Sequence, residues 1–251
     1  MLNIVIPMAG AGSRFSSAGY SLPKPLIPVN GVPMIQVVIH NLRPTQNHRF
    51  IFICQNEHIK IYGLIDRLHE WSPGSVIIGI DGLTEGAACT VLKARDYINS
   101  EDPLMIANSD QYIDSNINDY LDSIKSRNLA GLIMTMKASD PKWSFVGLNH
   151  EQIVVRVVEK EVISDEATVG IYNFSQGSDF VRAAELMIQK NMRVNNEFYV
   201  APVYNELISN SYRVGILNIG KEADGMYGLG TPSDLDLFMT LPVHRKIGIS
   251  L

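Results

Sequence analysis

Cysteine is nearly absent: Cys54 and Cys89 are the only two in 251 residues, with no Cys-x-x-Cys and no pair of histidines beside either. That spacing excludes a disulfide framework and a thiolate zinc site. The six histidines (His40, His48, His58, His69, His150, His244) are scattered without metal-ligand spacing and read as structural or exposed groups. No basic run exceeds two residues, and 21 Lys plus Arg against 26 Asp plus Glu leave a net charge of −5. Nucleic acid is therefore not an expected partner. The longest apolar runs, such as residues 76–80 and 131–136, fall far short of the about 18 residues of a membrane helix, so no membrane association is expected. The chain opens directly on the strand-like Asn3-Ile4-Val5-Ile6, without the basic start and cleavage site of a signal peptide. A cytoplasmic protein is expected.

What is present is a core: 46% of the residues are hydrophobic, enough for one large domain or two small ones, and disorder, collagen and coiled coil are excluded. Short β-branched runs at residues 3–6, 50–54, 75–80 and 104–107 alternate with amphipathic stretches at 34–41, 58–70 and 87–97. That alternation predicts helices packed on a parallel sheet. From residue 131 four strand-like segments follow one another (131–137, 145–148, 153–159, 168–174), which predicts a mixed or antiparallel insertion. Helices are expected at 178–190 and 197–210, a strand at 212–219, and a last short helix opened by Asp234 just after Pro232. With no repeat and no linker, the economical reading is one domain, 1–251, with lobes at 1–130 and 131–232 and a C-terminal helix and tail at 233–251.

The first strand runs into Met8-Ala9-Gly10-Ala11-Gly12-Ser13-Arg14, whose small residues let backbone N–H groups approach an anion. It is not the dinucleotide fingerprint, because the third glycine falls on Phe15, nor a P-loop, which needs Lys and Ser/Thr after its last glycine. A plain strand-to-helix turn fits equally well. The continuation decides more: in Leu22-Pro23-Lys24-Pro25-Leu26-Ile27-Pro28-Val29-Asn30-Gly31-Val32-Pro33-Met34, a lysine is locked between two prolines that restrict its backbone.

From Gly10 to Met34 the chain resembles the nucleotidyltransferase superfamily that activates sugars and other phosphorylated acceptors. Its pattern is Gly-x-Gly-[Ser/Thr]-Arg, then Pro-Lys-Pro-Leu-x-Pro-Val-x-Gly-x-Pro-Met. The resemblance implies a glycosyltransferase-A-like (Rossmann-like) α/β fold with a mixed, mostly parallel sheet and an inserted acceptor-binding lobe, so that 1–130 is the nucleotide-binding lobe and 131–232 the acceptor-binding one. It implies Mg²⁺-dependent chemistry, in which a phosphate oxygen of the acceptor attacks the α-phosphorus of a nucleoside triphosphate and expels pyrophosphate. The nucleophile is already anionic, which agrees with the lack of a Ser/His/Asp or Cys/His constellation. By the same resemblance Arg14 and Lys24 are catalytic, and Ala9, Gly10, Ala11, Gly12 and Ser13 cradle the nucleotide. Asp110, at the end of an apolar strand, binds both nucleotide and Mg²⁺, although it would also serve as a helix cap. The second metal ligand would precede Gly230-Thr231-Pro232 by two residues, where Gly228 stands, so either one carboxylate suffices or Asp224 reaches in.

Asp81 and Gly86 fall where the family places a base-reading Gln and its Gly, with Ala87 beside them. An ionised carboxylate only accepts hydrogen bonds, so Asp81 would favour an amino-bearing base such as cytosine; beside Gly82 it also reads as a turn residue. In the acceptor half, Glu159, Lys160, Gly170 and Glu197 match the family's acceptor contacts, although Glu159-Lys160-Glu161 also reads as a solvated turn. The usual Pro-x-x-Tyr-Gly is replaced by Asp140-Pro141-Lys142-Trp143-Ser144-Phe145, with Gly147 as the nearest substitute glycine. These departures look closer to a small bacterial subgroup tied to capsule and surface-polysaccharide genes, which includes CTP-dependent cytidylyltransferases acting on non-sugar phosphorylated acceptors such as phosphoglutamine. The alternatives are a hexose-1-phosphate uridylyl- or thymidylyltransferase, or a nucleotide-binding regulatory protein without turnover. The expected partners are thus a nucleoside triphosphate and a small phosphorylated acceptor. No hexapeptide repeat suggests a second, acyl-transferring unit, and residues 235–243 offer a surface for homo-oligomer formation.

Overall fold

A computed structural model describes residues 1–247. Its strands are β1 Leu2–Pro7, β2 Pro28–Val29, β3 Val32–Pro33, β4 His48–Gln55, β5 Val76–Ile80, β6 Leu104–Ala107, β7 Gln111–Ile113, β8 Gly131–Lys137, β9 Ser144–Leu148, β10 Val154–Glu159, β11 Glu166–Phe174, β12 Val214–Glu222 and β13 Gly225–Gly228. One sheet runs β5-β4-β1-β6-β11-β8-β12-β13-β7, with β9 and β10 to one side and β2-β3 a separate hairpin. Strands β5, β4, β1 and β6 are mutually parallel. The predicted change of character at residue 131 is real: β11 runs antiparallel to both β6 and β8, and β12 returns parallel to β8. The fold is mixed α/β with a large, mostly parallel sheet, as expected.

The central strands are buried on both faces, which explains why they read as continuous apolar runs rather than alternating ones. Helix Met34–Leu42 covers one face through Ile35, Val38 and Ile39, in a cluster with Ile4, Phe50 and Met105. Helix Gly177–Gln189 covers the other through Phe180, Val181 and Ala184, with Ile106 and Phe174.

Several expectations need correction. The helix predicted over 58–70 is two, Asn56–Tyr62 and Leu64–Trp71, broken where Gly63 adopts a left-handed conformation (φ 58°). The stretch 87–97 is helix Ala87–Val91, a 3₁₀ turn Leu92–Ala94 and helix Arg95–Ile98. Of residues 197–210 only Ala201–Val203 (3₁₀) and Tyr204–Ser209 are helical, because left-handed Asn195 and Asn196 bend the chain before them. Strands β7 and β13, which extend the sheet beyond β12, have no signal in the pattern; both are too short to show a period. The last helix, Pro232–Thr240, begins two residues earlier than expected, with Thr231 capping the Asp234 N–H. Of residues 235–243, Leu235, Phe238 and Val243 pack inside the chain against Phe15, Met34 and Leu229, whereas Leu237 is exposed.

Candidate active site

Strand β1 ends at Pro7, and the chain turns through residues 8–12 into the short helix Ser13–Ser17. Gly12 caps that helix in a left-handed conformation (φ 61°). Space around Gly10 is open, Ala11, Ser13 and Arg14 are exposed, and Ala9 is buried. The loop is pinned from below by Gln55 at the end of β4, whose amide donates to Ala9 O at 2.6 Å and to Gly82 O at 2.9 Å. One side chain therefore ties the small-residue loop to the loop carrying Asp81. Nothing in the sequence marked Gln55, since a lone glutamine at a strand end carries no pattern.

Pro23 and Pro25 frame a 3₁₀ turn that projects Lys24 inward. Its ammonium meets the Asp110 carboxylate at 2.7 Å, across 86 residues of chain, with each side chain about a quarter exposed (24% and 22%). The two residues singled out separately are thus in direct contact. Strand β6 delivers Asp110 through Asn108 and buried Ser109, and its carbonyl accepts from Leu229 N–H at 2.8 Å. The Gly-Thr-Pro signature has a physical reason here, because a Cβ on Gly230 would lie 2.7 Å from Asp110 Oδ2. Only glycine leaves that carboxylate its place.

Asp224 does not supply a second ligand. It lies in the turn between β12 and β13, 75% exposed and 3.7 Å from Lys221. Gly225 there sits beside Asp114, whereas Gly228 pairs with Gln111 at the opposite end of β13. Among the described residues no three His, Cys, Asp or Glu side chains are grouped to hold a metal. A single carboxylate still fits Mg²⁺, which keeps waters and binds through one or two carboxylates plus substrate phosphates.

Beyond Asn108 opens a cavity of about 280 Å³ lined by Ala87, Lys142, Trp143, Ser144, Glu159, Gly170, Tyr172 and Tyr199, among others. Gly170 allows its wall to close: at φ 81°, a Cβ there would run into the Asn108 amide at 2.1 Å. Glu159, on β10, accepts from Ser144 on β9, and burial pushes its carboxyl above the ordinary range, with the nearby charge of Glu197 adding to the push. Lys160 holds a left-handed backbone (φ 58°) and donates to the Tyr199 hydroxyl at 2.8 Å. Burial likewise pushes the Tyr172 phenol up, leaving it a neutral partner for Thr168 at 3.1 Å.

Ala87, expected on the nucleotide side, thus faces the same cavity as Glu159 and Gly170, expected on the acceptor side. Glu197 is exposed and does not line the wall. Gly147 is corrected: it pairs with Arg156 three residues along β9 and packs against Ile163, whereas Ser144 opposite Glu159 faces the cavity. Asp81 is exposed, with one oxygen taken by the Asn56 amide at 2.9 Å. Gly86 abuts Phe198, where a Cβ would fall 2.5 Å from backbone atoms.

A sequence model described as nucleotidyl transferase matches residues 4–210. The chain belongs to this family. The family's span takes in Lys24, Asp110 and the cavity residues alike. A bifunctional protein GlmU from Methanococcus maripaludis is 26% identical over 178 residues, 68% of this chain and 39% of that protein; the chain spans well under half of the curated relatives it matches. A nucleoside-diphosphate-sugar pyrophosphorylase from Vibrio cholerae superposes with a TM-score of 0.81 at 24% identity, over 95% of this chain and 100% of that one. An inositol-1-phosphate CTP transferase from T. maritima gives 0.70 at 15% identity, over 98% and 97%. Both likenesses are of fold. No helix among the described residues is long and apolar enough to cross a membrane.

Proposed function

We propose that the protein transfers a nucleotidyl group from a nucleoside triphosphate to a small phosphorylated acceptor, releasing pyrophosphate. The observation that carries this reading is the Lys24–Asp110 pair beside a small-residue loop and next to a polar cavity. An acceptor phosphate oxygen attacks the α-phosphorus, the bond to the bridging oxygen breaks, and the electron pair leaves with pyrophosphate. No base is needed for an anionic nucleophile. The demand is to offset repulsion between two anions, and Lys24, Arg14 and the loop amides at 10–13 meet it. Asp110 would hold Mg²⁺, which supplies charge neutralisation on the triphosphate. Residues 1–130 supply the nucleotide side and 131–232 most of the acceptor side, which Ala87 and Asn108 of the first half complete together with Ser144, Glu159, Lys160, Gly170 and Tyr199.

The finer reading is a cytidylyltransferase acting in the cytoplasm on a non-sugar phosphorylated acceptor for capsule or surface-polysaccharide precursors. Asp81, an acceptor-only group on the base side, supports CTP. The acceptor class is supported by Ser144 and Phe145 standing where, counted from Pro141, the family carries Tyr-Gly. The second reading, a nucleotide binder without turnover, is favoured only by Gly228. Pyrophosphate release from CTP, UTP and dTTP with a panel of phosphorylated acceptors decides: release with CTP fastest supports the proposal, and none with any pair refutes it.

A further inference from the structure

After helix Gly177–Gln189 the chain turns through three left-handed asparagines, Asn191, Asn195 and Asn196, and reaches the loop that carries Gly86. Phe198 joins that loop through the main chain: its N–H donates to Glu85 O at 2.8 Å and its carbonyl accepts from Ala88 N–H at 3.0 Å. Arg193 braces the junction. Its guanidinium pairs with Glu85 at 2.5 Å, lies 4.3 Å from the centroid of the Phe198 ring, and donates from Nε to Asn191 at 2.6 Å. The planar guanidinium thus meets a carboxylate, an aromatic face and an amide oxygen at once, a set of contacts that a lysine ammonium reproduces only in part. The next residue along the strap is Tyr199, which accepts from Lys160 and lines the acceptor cavity. Residues 193–199 therefore touch the base-side loop at one end and the acceptor cavity at the other.

We propose that Arg193 is a positioning residue that couples the two sites. Nucleotide contact with the 81–88 loop acts through Glu85 and Phe198 on Tyr199 and Lys160, so nucleotide binding orders the acceptor cavity. This rests on the nucleotidyltransferase reading for the occupants of both sites. It assigns Arg193 and Glu85 a role through their neighbours, not by contact with substrate. Coupling of this kind is a free energy shared by two sites, and it is lost when the element joining them is loosened.

The test uses Trp143, which lines the cavity, as reporter in a Trp71→Phe background; the sequence holds only these two tryptophans. CTP, UTP, dTTP, ATP and GTP are titrated with Mg²⁺ while melting temperature and Trp143 emission are read. The nucleotide that raises the melting temperature is expected to change the emission. Arg193→Met and Glu85→Gln should each abolish that change and weaken nucleotide binding about fivefold, Arg193→Lys should restore it in part, and the double variant should be no worse than either single one. Should Arg193→Met fail to fold, Glu85→Gln, at a 64% exposed side chain, carries the same test. An emission change that persists in the folded variants, or a silent Trp143 with a nucleotide that does stabilise the protein, overturns the coupling and leaves the enzymatic reading standing. If no nucleotide raises the melting temperature, the enzymatic reading itself falls, and the coupling with it.

Discussion

Lys24 is held by its proline frame and by Asp110 rather than by the core, so its removal is a functional and not a folding lesion. Lys24→Ala should leave the melting temperature within a few degrees of wild type and raise the barrier to turnover by about 2–4 kcal/mol, the range for a lost electrostatic donor; steady-state pyrophosphate release checks it. Asp110→Asn keeps the shape but loses the charge that would hold a cation, so nucleotide binding should persist while turnover no longer responds to Mg²⁺ across a titration. Glu159 gives a pH prediction. Burial raises its folded pKa above the unfolded value, so its contribution is fully favourable below the unfolded pKa and is lost as pH rises through the folded one. Glu159→Gln, which keeps an acceptor for Ser144, should raise the melting temperature at pH 7, with the gain shrinking to nothing as pH is lowered through the carboxylate range.

Among the elements, what was legible in the sequence is what local chemistry imposes. The proline-bracketed lysine and the small-residue loop had to be contiguous to work, so they could be read as a motif. The residues that shape the cavity come from separate strands and loops: Asn108 after β6, Ser144 on β9, Glu159 on β10, Tyr199 on the strap. Ser144 carries no sequence mark because its role depends on register, which is set by the whole sheet, and Tyr199 carries none because it is placed by the main-chain bonds of Phe198 to the loop of Gly86. Gly147 was misplaced for that reason. The same distinction separates two glycines. Gly63 is left-handed in open space, so Gly63→Ala should cost only the left-handed penalty, about 1–2 kcal/mol. Gly86 is at φ 130° with Phe198 backbone atoms 2.5 Å from any Cβ, so Gly86→Ala must push the strap away. It should cost more than Gly63→Ala and, unlike it, impair nucleotide binding; denaturant melts and nucleotide titrations of both variants separate the effects.

For the whole molecule, the continuous sheet joins both halves, so occupancy of one site is felt in the stability of the entire fold. A ligand that binds only the folded state adds about 2.7 kcal/mol when present at a hundred times its dissociation constant. For a chain of this size that corresponds to a rise in melting temperature of about 5–10 °C. In the proposed reading the base is met by Asp81, exposed just beyond the end of β5 with one oxygen bound to Asn56. Its other oxygen can accept from the amino group of cytosine, whereas uracil presents a carbonyl there, and two facing acceptors cost about 1–3 kcal/mol once the bound base shields them from water. CTP should therefore bind about tenfold more tightly than UTP, and at equal concentrations the CTP complex should melt about 3–5 °C higher. Asp81→Gln, whose amide can also donate, should narrow or reverse that gap. A UTP shift equal to or larger than the CTP shift in the wild-type protein, or an unchanged gap in Asp81→Gln, would show that the base is read elsewhere, with the backbone at Ala9 and Gly82 that Gln55 holds together the next place to look.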